Sequence, residues 1–274
     1  GTNDLVVTGT LTIATNLLWQ NNIIVEGDGQ LSLVNMLLYM NQVSTNKPIQ
    51  IVVRDNGTLV LDNSVVDSNY VLRIYLFDNG SLALTSSVLR SNVILIIDDD
   101  SVAHMEESSL LGDLQAPASS SAELVAVNTT FSQAWSYFGG TSTAEITGVS
   151  INDVPAVSPV DGAMVTIYSW IVASVYDGSA TNKIPGASVE ARSFLDQVVY
   201  ATGVTDANGE WRFRALSDVI TASGQGSVIC GYYELNATYW YLGVRYDSDS
   251  TEMGQIPYSP DVPLVRSDAM VRLN

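Results

Sequence analysis

The sequence is poor in the residues that carry most enzyme chemistry. Its 274 residues include one cysteine, Cys230, and one histidine, His104. A single cysteine cannot form an intramolecular disulfide, so cysteine usage leaves the cellular compartment open. The sequence also lacks CxxC, HExxH, GxGxxG and P-loop motifs, and it has no Gly-x-Ser-x-Gly nucleophile elbow. We therefore expect a protein that is not an enzyme and that has no catalytic residue and no cofactor-binding residue.

Basic residues and long apolar runs are scarce as well. Eleven Lys and Arg stand against 29 Asp and Glu, which gives a formal net charge of -18. Such a surface repels nucleic acid and anionic membranes, so we expect neither as a partner. No run of about 18 apolar residues occurs, so we expect no membrane span. The chain starts without a basic and apolar leader, and we expect that a secretory signal peptide has been removed.

A repeat is the main feature that the sequence does contain. Glycines recur every 20 to 28 residues, and apolar residues stand four and six positions before most of them. The repeat is clearest over residues 51–113 and continues, less regularly, around 122–127 and 143–146. Short strands that recur with such a period are typical of a β-solenoid. We predict a parallel β-helix of about seven coils over residues 1–153. The repeated glycines are Gly9, Gly29, Gly57 and Gly80.

The turns between the predicted strands contain Asn and Asp, which tolerate a left-handed backbone. We expect stacked Asn side chains to form hydrogen bonds from coil to coil. Two segments, 42–48 and 114–121, interrupt the repeat and are predicted to be surface loops, on which a binding surface could lie. The aligned asparagines are Asn21, Asn41, Asn69 and Asn92.

A second domain follows a predicted linker at residues 154–160, which contains two prolines. Alternating strands are predicted at 164–176, 187–192, 198–205 and 210–215, with a tight turn at 206–209. Strands and turns at this spacing indicate an antiparallel β-sandwich over residues 161–274. The predicted fold class is therefore all-β, a parallel solenoid followed by an antiparallel sandwich.

Two motifs of the second domain carry a family resemblance. Ile184-Pro-Gly-Ala-Ser-Val-Glu190 and Thr205-Asp-Ala-Asn-Gly-Glu-Trp-Arg-Phe213 resemble the carboxypeptidase-regulatory-like, or transthyretin-like, β-sandwich. The resemblance implies an accessory, non-catalytic module that is common in secreted and surface proteins. Its pairing with a right-handed β-helix is similar to the architecture of archaeal cell-surface, sheath and surface-layer proteins.

Aspartates at one turn of the repeat are candidate calcium ligands. Asp55, Asp78 and Asp98 are predicted to share a column, with Asp99 in the adjacent one, and stacked carboxylates repel unless a cation or water separates them. Asp206 with Asn208, and Asp247 with Asp249, are further calcium candidates. The triplet 98–100 with His104 is also the best candidate for glycan cleavage. Because it occupies a turn of the repeat, a structural role is the favoured interpretation.

Aromatic residues and glycosylation sequons mark other candidate sites. The aromatic segment 228–246 is predicted to contribute core residues, with a sugar-stacking or subunit interface as the alternative. The candidate glycosylation sites, in Asn-x-Ser/Thr sequons, are Asn56, Asn79, Asn128 and Asn236.

The functional prediction is based on the N-terminal edge of the solenoid. No helix or charged cap is evident before Leu5, and an open strand edge recruits another strand. We expect an extracellular structural protein of the cell surface that binds copies of itself, edge to edge, in a layer, sheath or filament. The alternatives are an adhesin that binds cell-surface glycans and a glycan-cleaving enzyme. The candidate interface residues are Leu5, Val7, Tyr239, Trp240 and Tyr241.

Overall fold

The computed structural model shows an all-β protein, with no helix among the residues it describes. The described residues are 3–44, 46, 48–133, 135, 137–148, 159–177, 181–194, 196–222, 224–225, 233–242, 244–248, 251–253 and 267–272. The chain forms two compact units. The first contains Gly1–Thr166 and Val219–Gly226, and the second contains Ile167–Asp218 and Ser227–Asn274.

The first unit is a parallel β-solenoid of about seven coils, as predicted. The strands of the first four coils are β1 (Leu5–Val7), β2 (Thr10–Ile13), β3 (Leu17–Trp19), β4 (Ile23–Val25), β5 (Gln30–Val34), β6 (Leu37–Met40), β7 (Gln50–Val53), β8 (Thr58–Asp62), β9 (Val65–Ser68), β10 (Leu72–Leu76), β11 (Ser81–Thr85) and β12 (Val88–Leu89). The remaining coils contain β13 (Val93–Ile97), β14 (Val102–Glu106), β15 (Ser109–Leu110), β16 (Asp113–Ala116), β17 (Glu123–Val127), β18 (Thr130–Phe131), β19 (Tyr137–Phe138) and β20 (Thr143–Thr147).

Three parallel sheets run along the solenoid, because corresponding strands of successive coils pair with each other. Sheet A has the order β1-β4-β7-β10-β13-β16-β19, and sheet C has the order β3-β6-β9-β12-β15-β18. Sheet B begins β2-β5-β8-β11-β14-β17-β20 and continues with β21 (Met164–Tyr176), β24 (Glu210–Thr221) and β25 (Gly224–Gln225). Each coil therefore supplies one strand to each sheet, apart from the seventh.

The solenoid core is a stack of aliphatic side chains in register. Ile23, Ile51, Ile74 and Leu95 pair in sequence along sheet A, and each is completely buried. Burial of one Leu or Ile side chain contributes about 1.5–3 kcal/mol. One coil alone could not bury these residues, so stability comes from stacking on the neighbouring coils.

The turn that follows the sheet A strand contains a residue in the left-handed region in the second to fifth coils. Strand pairing places Asp99, and not Asp98, next to Asp78 in this column. The prediction that Asp98 shares a column with Asp55 and Asp78 is therefore wrong by one residue. The error arose because Ser101 stands in the fifth coil at the position that the repeated glycine occupies in the earlier coils. The residues at this position, with φ of 49–59°, are Gly27, Asp55, Asp78 and Asp99.

A second turn contains a column of buried hydroxyls that the sequence analysis did not identify. The Ser87 hydroxyl donates to the Thr85 carbonyl (2.8 Å) and accepts the Ser64 N–H (3.0 Å). Ser108 repeats the arrangement by accepting the Ser87 N–H (3.1 Å). The hydroxyls of Ser64, Ser87 and Ser108 thus each link the backbones of two neighbouring coils. The buried members of the column are Ser64, Ser87, Ser108 and Thr129.

The predicted asparagine ladder exists in a different form. Asn69 Nδ2 donates to the Gln42 carbonyl (2.9 Å), so this side chain binds the backbone of the preceding coil. A direct side-chain bond joins Asn63 Nδ2 to Asn35 Oδ1 (2.7 Å), outside the predicted column. Asn21 does not belong to the column, because Trp19 pairs with Met40 and the register aligns Asn21 with Gln42.

Two sequence boundaries differ from the predictions. The predicted loop at 114–121 is partly strand, since β16 extends through Ala116. Most of the predicted linker, 154–158, lies outside the described residues. Its last two residues, Pro159 and Val160, continue the solenoid: Pro159 bridges to Phe138, and the Val160 N–H donates to the Phe138 carbonyl (2.9 Å).

The second unit contains an antiparallel sheet, sheet D, with the order β23-β22-β26-β27, and β28 also pairs with β26. Its buried face packs on residues of β21 and β24, and this packing forms the core of the unit. Leu235, Val189 and Phe213 are among the core residues. The strands are β22 (Ser188–Ser193), β23 (Val199–Val204), β26 (Tyr233–Tyr241), β27 (Val244–Asp247), β28 (Thr251–Met253) and β29 (Ser267–Arg272), which pairs with β21 in parallel.

Candidate functional site

The first described coil forms an edge at which all three solenoid sheets end. Its strands β1, β2 and β3 pair with the second coil on one side, and no described strand pairs with their other side. These three strands are the leading rim. The Gln30 N–H donates to the Gly9 carbonyl (2.9 Å), and backbone groups alternate in direction along a parallel strand. The N–H and C=O groups of Thr10 and Thr12 therefore point away from the solenoid.

The core side chains of the leading rim are only partly covered. Leu5, Leu11 and Leu17 are half-buried, whereas their counterparts in the second coil are completely buried. Val6 and Leu18 point outward and are 50% and 61% exposed. Residues 5–19 contain no charged side chain, although the chain has 40 charged residues. The rim therefore presents apolar side chains and backbone groups without the charges or prolines that usually protect a strand edge.

The opposite end of the solenoid is partly continued by residues of the same unit. After β20 the chain returns to sheet B, where the Met164 N–H donates to the Ser142 carbonyl (3.0 Å). Within the end coil, Trp135 packs against Phe131 and Phe138, with ring centroids 5.4 and 5.2 Å apart. All three aromatic side chains are buried. Residues of the same unit thus continue sheet B and bridge to β19 of sheet A, whereas β18 ends sheet C and has no further partner among the described strands.

The aspartates proposed as calcium ligands are engaged in turn hydrogen bonds. Asp99 Oδ2 accepts the Asp78 N–H (3.3 Å), Asp98 Oδ1 accepts the Asp99 N–H (2.9 Å), and Asp55 Oδ2 lies 4.0 Å from Arg54 Nε. Within the described part of the chain, no group of three His, Cys, Asp or Glu residues is arranged to hold a metal ion. Calcium binding at this edge stays a prediction, and the described residues do not supply a set of ligands for it.

The other two calcium candidates have different outcomes. Asp206 Oδ1 accepts the N–H groups of Asn208 (2.8 Å) and Glu210 (3.0 Å). These hydrogen bonds lower the pKa of the Asp206 carboxyl below its usual value, and the bond from the Glu210 N–H has the largest effect. The carboxylate thus closes a tight turn. Asp247 accepts hydrogen bonds from Arg245 (2.8 Å) and Thr238 (2.9 Å), and its suggested partner at position 249 lies outside the described residues.

The candidate catalytic group does not form a cleft. Asp99 and Asp100 are exposed at the turn, where the Asp100 carboxylate accepts a hydrogen bond from the Ser121 hydroxyl. His104 is exposed on the outer face of β14, where strand pairing places it between Ala83 and Val125. Asp99, Asp100 and His104 therefore lie on an exposed turn and an exposed sheet face.

Three of the four candidate glycosylation sites are exposed on turns of the solenoid: Asn56, Asn79 and Asn128. Asn236 lies in the middle of β26 and is half-buried. A glycan is therefore accommodated more easily at these three turns than at Asn236.

The candidate interface residues fall into two groups. Val7 is 4% exposed and points into the core, so it offers only backbone groups at the rim, whereas the Leu5 side chain is partly accessible. In β26, Tyr239 packs against the core of the second unit, while Trp240 and Tyr241 are 63% and 55% exposed. Trp240 and Tyr241 thus fit the predicted contact surface better than Tyr239.

The outer face of sheet D is polar and forms a cavity of about 830 Å³. Glu190 and Arg192 of β22, Asn236 of β26, and Arg245 and Asp247 of β27 line it. The hydrogen bonds from Arg245 and Thr238 lower the pKa of the Asp247 carboxyl. Charged groups of both signs and amide groups are therefore available on one concave face of the second unit.

The described strands of the second unit include an edge strand, β23, that was not predicted from the sequence. Strand β23 pairs with β22 on one side, and among the described strands none pairs with its other side. Val199 and Val204 are 42% and 59% exposed. The uncharged segment 198–205 was the available signal, because natural sheets usually protect an edge strand with charged residues.

No protein-family model matches the chain, and no curated protein matches it either. The transthyretin-like resemblance therefore rests on the motifs at 184–190 and 205–213. A functional conclusion has to come from the arrangement of the described residues, and the leading rim is the feature of that arrangement with the clearest consequence.

Proposed function

We propose that the chain is an extracellular structural protein that self-assembles edge to edge into a cell-envelope layer, sheath or filament. The observation that supports the proposal is the leading rim, where three strands carry backbone groups that no described strand pairs with, beside partly exposed apolar side chains. Pairing with another strand satisfies these groups and removes the apolar surface from water.

Assembly into an extended structure requires the leading rim to bind a different surface of the next copy. The two ends of the solenoid differ, because no described strand pairs with the outer side of the leading rim, whereas sheet B continues beyond the seventh coil. Two rims would meet in a two-fold contact and stop at a dimer, whereas a rim that binds a different surface forms a ring or an open filament. The lack of charge at the rim supports association despite the net charge of -18.

Sedimentation and electron microscopy test the proposal at micromolar concentration. We expect large particles whose proportion rises with protein concentration. It should also rise with salt, because salt screens the repulsion between acidic copies. Thr12→Pro should reduce assembly, since it removes an N–H that points away from the solenoid. Thr12→Val keeps that N–H and is the control. Particles that remain monomeric under all conditions would contradict the proposal.

A carbohydrate-binding adhesin is the second candidate, and the exposed Trp240 favours it. Trp240 pairs with Arg245, which lines the polar cavity of sheet D, and an exposed indole supplies a flat surface for a sugar ring. A glycan array with Trp240→Ala as control separates this function from assembly. Binding that is lost in Trp240→Ala, by a protein that stays monomeric, would favour the adhesin.

A further inference from the structure

Strand β23 offers backbone groups that no described strand uses. The Thr205 N–H donates to the Ala187 carbonyl (2.9 Å), so residue 205 faces β22. Backbone groups alternate along an antiparallel strand. The N–H and C=O groups of Thr202 and Val204 therefore point away from β22, as those of Thr10 and Thr12 point away from β5 at the leading rim.

The two open edges match in spacing. On each strand the free backbone groups belong to two residues that are two positions apart, Thr10 and Thr12 on β2 and Thr202 and Val204 on β23. In an antiparallel pair of these two strands, the outward residues lie directly opposite each other and exchange hydrogen bonds. Among the described residues, neither edge is paired with the other, so such a contact has to join two copies.

Charge restricts which surfaces of two copies can meet. Each copy carries a formal net charge of -18, so copies repel wherever carboxylates face each other. Segments 5–19 and 197–205 contain no charged residue. Apolar side chains are exposed at both, with Val6 at 50% and Val204 at 59%. These edges can approach without placing carboxylates against each other.

We propose that β23 of one copy adds antiparallel to β2 at the leading rim of a second copy and continues sheet B across the contact. The inference rests on the proposed self-assembly and identifies its contact. Because the two edges belong to different parts of the chain, the copy that contributes β23 keeps its own rim available, and the copy that contributes the rim keeps its own β23. The contact therefore propagates and generates a ring or an open filament.

Site-specific disulfide formation tests this contact in the full chain. Cys230→Ser removes the native thiol from every protein used. A Thr12→Cys protein is mixed under oxidising conditions with a Thr202→Cys or a Val204→Cys protein, which report the two antiparallel registers that place residue 12 opposite an outward-facing residue of β23. Thr85→Cys replaces Thr12→Cys in the control, because Thr85 is also an exposed threonine but lies in β11, which is paired on both sides.

The expected result is a covalent dimer between Thr12→Cys and one of the two β23 variants. Strand pairing holds the thiols at an effective concentration in the millimolar range, so the mixed dimer should form about 10²-fold faster than the Thr85→Cys control at micromolar protein. Thr202→Pro removes an outward N–H and should abolish assembly, whereas Thr202→Val should not. Circular dichroism verifies that both variants are folded.

Light scattering on the same samples separates the two proposals. Large particles without a Thr12 cross-link above the Thr85 control would overturn the β2–β23 contact and leave self-assembly standing. Monomers without a cross-link would overturn both. A cross-link that appears together with large particles, and is lost in folded Thr202→Pro protein, supports both.

Discussion

Substitution of Gly80 by alanine tests the coil-to-coil packing on which the fold depends. A Cβ at this position would lie 2.3 Å from the Val53 carbonyl oxygen and 3.0 Å from the Phe77 oxygen. Unstrained carbon–oxygen contacts measure about 3.3–3.6 Å, so adjacent coils would have to separate by about 1 Å. We expect Gly80→Ala to lower the free energy of unfolding by about 1–3 kcal/mol, the usual cost of overpacking. Urea unfolding followed by circular dichroism measures it.

Two further glycines make the test specific. Gly57→Ala should be destabilising for the same reason, because its Cβ would lie 2.5 Å from the Val25 oxygen. Gly9→Ala should change stability by less than about 0.5 kcal/mol, because nothing lies within 4 Å of its Cβ. If Gly80→Ala were as stable as Gly9→Ala, the described contact between the third and fourth coils would be wrong.

Three other substitutions test separate parts of the account. Ser87→Ala should cost about 1–3 kcal/mol, because the buried Ser64 N–H loses its acceptor, and urea unfolding measures the loss. Trp135→Ala should lower the free energy of unfolding by about 3–5 kcal/mol, because it leaves a cavity in the last coils of the solenoid, and the midpoint of urea unfolding should fall. The Asp206 carboxyl has a lowered pKa in the folded state, so its contribution is present above its unfolded pKa of 3.8 and is lost as pH falls through the folded pKa. Thermal unfolding below about pH 4 should therefore be less pH-dependent in Asp206→Asn.

Each of these predictions has an outcome that contradicts it. A neutral Ser87→Ala would mean that the hydroxyl column does not link the coils. A Trp135→Ala variant as stable as the unsubstituted protein would show that the aromatic cluster does not stabilise the last coils. An unchanged pH dependence in Asp206→Asn would show that the turn hydrogen bonds do not favour the carboxylate.

The solenoid could be predicted because its core leaves a direct trace in the sequence. Stacked positions such as Ile51 and Ile74 must all be apolar, and the turn beside them requires a small residue such as Gly57 or Gly80. Both requirements recur once per coil, so the repeat is visible without a structure. The same physical constraint repeated along the chain is what made the fold class predictable.

Exact register could not be predicted, because coils differ in length. The fifth coil has Ser101 where earlier coils have glycine, and three consecutive aspartates offered several alignments. Pairing of Leu76 with Ile97 selects the one that aligns Asp99, not Asp98, with Asp78. A change of one residue in coil length is too small to disturb the apolar pattern but moves every turn side chain by one position.

The candidate site was predictable in part. Leu5 was identified because it begins the first strand of the repeat. The open edge at β23 was missed because alternation along a strand is the same at an edge as in the middle of a sheet; only pairing shows that Thr202 faces outward. The column of Ser64 and Ser87 was not predicted, because different residues, Asn63 and Ser86, precede the two serines and no repeated motif marks them.

Electron cryomicroscopy of the native protein is the most direct test of self-assembly. The account predicts rings, layers or filaments in which the leading rim of each copy contacts a neighbouring copy. A structure in which the same polypeptide covers β1, β2 and β3, with single molecules persisting at high concentration, would contradict it.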